Sequence, residues 1–255
     1  MPALDTDSGN SERGNLIRRF VGLALVFGLF QWSATVLGSD RGQAGLAVGV
    51  LIVAATVVAQ RLVAGGTVRG AIRELGLGGP AVGGLRAVLV PTAALLLSIP
   101  VLAWFTGASP RMSPGWLWLL PGLFAQAGIA EETLFRGYLF GALRRTRSFW
   151  RAGAAAMVPF VIVHLYLFTT MPFPVALAAV ALAVAISFPL ARLFDLGGRT
   201  IWAPAILHFV VQAVPKVVVT ADGTLAFQLG WMLATAVLPM LVFLSPTATS
   251  PGGRP

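Results

Sequence analysis

The sequence predicts an all-α, polytopic membrane protein with about eight transmembrane helices, and three observations predict it. Of the 255 residues, 57% are hydrophobic and 11% charged, whereas soluble domains average about 25% charged. The mean hydropathy is +0.84. The apolar residues also gather into runs close to the roughly 20 residues that cross a bilayer. Together these exclude an ordinary soluble globule, and they exclude disorder, which needs low hydrophobicity and high charge.

Taken in order, the runs fall at about 20–37, 44–64, 87–105, 116–138, 153–168, 174–194, 201–219 and 225–244. Residues 1–19 read as a polar cytosolic tail. The pair Arg18-Arg19 before an apolar stretch resembles a signal-peptide start, but the stretch outruns the usual h-region of about 7–15 residues, so it reads as an uncleaved first span. Segment 65–85 carries Arg69, Arg73 and Glu74 and is too polar to span; it reads as a cytosolic connection with a short surface helix. The Pro-, Ser- and Gly-rich ending, 245–255, reads as a flexible cytosolic tail. No repeat is visible, so 20–244 reads as a single helical domain.

Orientation follows from the placement of positive charge in short loops. With the N-terminus cytosolic, only Arg41, Arg111 and Lys216 of the 18 basic residues fall in outside loops, and only Arg136 lies within a span. Both termini are therefore expected in the cytosol of a multi-pass cell-membrane protein. The net charge of +9 is accounted for by the bilayer as partner, with no nucleic acid. The absence of cysteine excludes disulfides, thiolate metal sites and a cysteine nucleophile.

An ionisable side chain at mid-bilayer costs on the order of 3 kcal/mol on insertion scales, so exceptions mark function or pairing. Among the acids, only Glu131 and Glu132 lie inside an apolar run, and both histidines, His164 and His208, do too. Arg136 follows Glu132 by one helical turn, which allows a Glu-before-Arg pair. Glu131 is rotated about 100° away and has no such local partner. His208 and Gln212 share a face in the same way. Each has a plainer reading: Glu132 and Arg136 as a structural pair, the histidines as interhelical hydrogen-bond partners. The joint pattern, on three different helices, favours a functional polar site.

The segment Glu131-Glu132-Thr-Leu-Phe-Arg136 resembles the Glu-Glu-x-x-x-Arg motif of the CAAX-protease and bacteriocin-processing family, which includes the type II CAAX prenyl endopeptidases. Phe160 to His164 resembles its Phe-x-x-x-His motif, and His208 its third, with Gln212 where Asn is usual. The resemblance implies an intramembrane endopeptidase acting on a membrane-associated peptide or protein, with a prenylated CAAX-type tail as the substrate the family name indicates. It further implies that Glu131 and His164 activate a water, that His208 and Gln212 stabilise the oxyanion, and that Glu132 and Arg136 orient the site. Amide hydrolysis needs such a base and such donors. The resemblance leaves the cofactor open. Glu131, His164 and His208 would make a His₂Glu set suited to a divalent metal such as zinc, yet no His-Glu-x-x-His helix is present and a purely glutamate-dependent reaction is equally in keeping. Two other readings compete. One is a catalytically weak immunity or membrane-scaffold relative, for which Gln212 speaks. The other is a proton-coupled transporter, against which the absence of inverted repeats speaks.

Overall fold

The computed structural model describes residues 6–37, 42–220 and 224–245, and there the apolar runs are helices. In chain order they are α1 (Thr6–Val36), α2 (Gln43–Ala64), the short α3 (Val68–Glu74), α4 (Val82–Thr106) and α5 (Trp116–Leu123). Two π-helical stretches, Phe124–Ala130 and Thr133–Phe140, and the short α6 (Gly141–Leu143) continue α5 without a break, so 116–143 is one helical rod. There follow α7 (Phe149–Ile162), α8 (Leu167–Thr170), α9 (Phe173–Leu196), α10 (Trp202–Val217) and α11 (Thr224–Val237), the last running into a 3₁₀ turn at Leu238–Leu244. The chain is an all-α polytopic membrane protein.

Six helical segments are long and apolar enough to cross a bilayer. The two expected spans missing from that set are the informative ones. The rod 116–143 carries Glu131, Glu132 and Arg136, and α10 has only 16 residues. Both carry candidate site residues, and both lie deep in the bundle: every residue of Thr133–Phe140 is buried. The outer surface, by contrast, bares Trp118 (82%), Trp104 (78%) and Leu25 (70%), an apolar exterior that only lipid covers well.

Three local expectations need correction. The polar N-terminal segment is helical from Thr6 onward, so α1 begins well before the expected span; residues 1–5 and 246–255 lie outside the described residues. The connection 65–85 does contain a short helix, α3, capped by the Thr67 hydroxyl accepting from the Gly70 N–H at 3.1 Å. It is not confined to the surface, however: Leu75 is fully buried, and Gly76, at φ 74°, accepts from the Ile201 N–H at 3.0 Å. Finally, a small antiparallel ladder joins β1 (Pro110–Met112) to β2 (Val218–Thr220), pairing Arg111 with Val219. No sequence signal had pointed to it.

The polar ends of the bundle segregate. Arg19 on α1 donates to Gln60 Oε1 at 2.9 Å and to the Tyr138 carbonyl at 3.2 Å. Arg145 meets Glu74 at 3.4 Å, and Arg144 Nε donates to Asp195 Oδ2 at 2.9 Å. Loops that the charge pattern assigns to one side thus bond to each other, while the β1–β2 ladder ties the loops at the other.

Small residues fix how α2 meets the rod. A Cβ at Gly45 would fall 2.8 Å from the Gly122 carbonyl oxygen, and one at Gly49 the same distance from the Ala125 carbonyl. Backbones can approach this closely only where both helices offer small side chains. Gly49→Leu is therefore expected to push α2 off the rod, at a cost of about 1–3 kcal/mol for the overpacking. Melting curves of the purified variant, compared with an exposed control such as Leu51→Ala, check this.

Candidate active site

Three helical elements bring the polar side chains together. The rod supplies Glu131, Glu132 and Arg136, the end of α7 supplies His164, and α10 supplies His208 and Gln212. Glu132 is fully buried and accepts from Arg136 Nη1 at 3.0 Å. The same Glu132 oxygen lies 2.7 Å from His208 Nδ1. One carboxylate oxygen thus holds the guanidinium and orients the imidazole, a link between motifs that their sequence positions, 76 residues apart, gave no means of seeing. Arg136 also stands 4.4 Å above the Phe160 ring, and a desolvated cation over an aromatic face adds about 2 kcal/mol of attraction.

Glu131 points elsewhere. It lines a cavity of about 1250 Å³ together with His164, His208 and Gln212, and its side chain keeps 18% exposure against none for Glu132. Glu131 Oε2 lies 3.8 Å from His208 Nε2, beyond direct hydrogen-bond reach. His208 Nε2 and Glu132 Oε2 are both buried without a hydrogen-bond partner among the described residues. Such groups are costly unless something pairs with them.

His164 is placed by an exchange of hydrogen bonds. In a continuing α-helix its backbone N–H would donate to the Phe160 carbonyl. Instead the ring atom Nδ1 sits 2.6 Å from that oxygen, and the N–H turns to the Val161 carbonyl at 2.9 Å. A side chain that competes for a backbone acceptor breaks the helix there. The expected fifth span accordingly appears as α7, a turn at 163–166, and α8. With Nδ1–H donated to a carbonyl, the lone pair of His164 is left on Nε2.

Gln212 accepts from Lys216 Nζ at 2.6 Å through Oε1, and Lys216 lines the same cavity. Gln126, on the rod five residues before Glu131, lines it too; no motif pointed to either. Among the described residues no three His, Asp or Glu side chains stand where they could hold a metal ion. Glu131, His164 and His208 line the one cavity, but they do not form such a group.

Fold and centre together define a polytopic membrane protein with a carboxylate–imidazole site buried between helices. Residues 113–214 match the family described as type II CAAX prenyl endopeptidase Rce1-like, a stretch that holds all six candidate side chains. That match spans 102 of the 255 residues and is a likeness to the CAAX-protease and bacteriocin-processing family. The matched family is one of membrane-embedded proteases, which supports a peptidase in a lipid bilayer at that coarse level. No curated protein and no solved structure matches the chain.

Proposed function

We propose that the protein is an intramembrane endopeptidase that hydrolyses peptide bonds of a membrane-associated protein or peptide at Glu131. The observation that carries the reading is that Glu131, His164, His208 and Gln212, from three helices, line one cavity. In this reading the Glu131 carboxylate takes a proton from a water that also donates to His164 Nε2. The hydroxide attacks the scissile carbonyl carbon, and Glu131 passes the proton to the departing amine. With both ring nitrogens protonated, His208 donates Nδ1–H to Glu132 and offers Nε2–H to the oxyanion. Gln212, its Oε1 held by Lys216, offers its amide N–H beside it.

Exposing isolated membrane proteomes to the wild type and to Glu131→Gln, then sequencing new peptide termini, tests the function. Termini that arise only with the wild type are expected; equal sets from both would overturn the assignment. A CAAX-type substrate would place those termini near prenylated cysteines.

The topology belongs to the same proposal: eight spans within a single domain, 20–244, and both termini in the cytosol. The basis is the charge asymmetry and the way the basic loops bond together at one end of the bundle. Reporter fusions at the C-terminus and in the Gly107–Gly115 loop are expected on opposite sides of the membrane. Finding both on one side would refute it.

A further inference from the structure

The chain has six glutamines, and four of them, Gln31, Gln126, Gln212 and Gln228, line the one cavity from α1, the rod, α10 and α11. Glutamine in a membrane helix is normally spent on a hydrogen bond to a neighbouring helix. Gln60 fits that pattern, bonding Arg19 and Glu74, and Gln212 bonds Lys216. Gln31, Gln126 and Gln228 do not: among the described residues their side chains make no hydrogen bond. The rod is bent to this arrangement. Positions five apart on an α-helix stand about 140° apart, which would turn Gln126 away from Glu131. Here the Glu131 N–H donates to the Gln126 carbonyl, a π-turn that closes over five residues and sets both side chains on the cavity wall.

The occupant such a wall fits can be stated chemically. A carboxamide offers one acceptor and two donors without charge, the complement of a peptide group. An extended strand entering a water-poor site must satisfy its own N–H and C=O groups or lose several kcal/mol at each. Among the described residues, and apart from the site's histidines, the ionisable wall residues with a full charge are Glu131 and Lys216. The volume of about 1250 Å³ exceeds the roughly 300–1,000 Å³ of small-molecule pockets. We propose that Gln31, Gln126 and Gln228 are substrate-binding residues that hold the main chain of an extended peptide segment across Glu131. Resting on the hydrolytic reading of this site, the inference adds the way substrate is held: by backbone, with little regard to side chain.

Binding, measured apart from cleavage, tests it. The full chain carrying Glu131→Gln is placed in lipid nanodiscs and titrated with short, uncharged, dansyl-labelled peptides of mixed sequence. Peptides of unrelated sequence are expected to bind alike, and Gln126→Met or Gln31→Met to raise Kd by about 5- to 10-fold, the worth of one neutral hydrogen bond in a dry site. Replacing one peptide amide by an ester should weaken binding by a similar factor. At the position facing Gln126 that loss should vanish in Gln126→Met, a coupling that a merely structural glutamine would not produce. Gln228→Met, at an exposed position, repeats the test where misfolding is no concern. No peptide binding, Kd values indifferent to all three substitutions, or displacement of nothing but farnesol from the cavity would overturn the proposal. Peptides that bind with this coupling, yet are never cut by the wild type, would sink the hydrolytic reading and leave this one standing.

Discussion

Glu131→Gln is expected to remove peptide hydrolysis while leaving the melting temperature equal to the wild type or slightly above it. Loss of a positioned general base costs about 10²- to 10⁴-fold in rate, and here the same carboxylate also returns the proton to the leaving amine. The stability side follows from the surroundings. Among the described residues the Glu131 carboxylate makes no direct hydrogen bond, and the His208 ring lies 3.8 Å away. An amide in its place relieves a partly desolvated charge without breaking a contact, the pattern expected where a site gives up stability for function. Purified protein followed by thermal melting and by cleavage of a substrate found in the proteome comparison checks both halves.

Glu132→Gln is expected to behave in the opposite way. This carboxylate is fully buried and holds Arg136 at 3.0 Å and His208 at 2.7 Å with a single oxygen. Its removal leaves a guanidinium with 4% side-chain exposure facing a neutral amide. Breaking a buried pair from one side costs about 3–5 kcal/mol, which lowers the melting temperature by roughly 10 °C in a chain of this size. Expression and activity fall with it, and the accompanying loss of His208 orientation means that activity should fall even at temperatures where the variant is folded. Should Glu131→Gln melt far below Glu132→Gln, the two roles are reversed.

The separation of these two adjacent glutamates was legible in the sequence because it rests on local geometry. A residue one turn from Arg136 pairs with it, and its neighbour, about 100° around, does not. The long helices were legible for a similar reason, since hydropathy over about 20 residues is a one-dimensional property. What the sequence did not convey depends on contacts between distant segments or on competition at a single carbonyl. The Glu132–His208 bond joins the rod to α10. The π-turns arise where the rod is squeezed between α2 and α10, with Gly128 against the Ala205 carbonyl and Gly49 against Ala125. The β1–β2 ladder involves three residues a side, too few to raise any periodicity. The division at 163–166 turned on which of two hydrogens of one histidine reached the Phe160 oxygen.

That last detail changes what an inactivating substitution at His164 would mean. The ring lines the cavity, and its Nδ1 occupies an oxygen that the helix would otherwise claim. Taking the ring away hands that oxygen back to the main chain, and α7 is then free to wind onward through 163–166 toward α8. An alanine there would not be a vacant version of the same pocket but a differently shaped segment beside it. The chain has in effect made a cavity-lining side chain the stop signal of the helix that carries it, so that the opening in the wall and the imidazole beside it are acquired, or lost, as one.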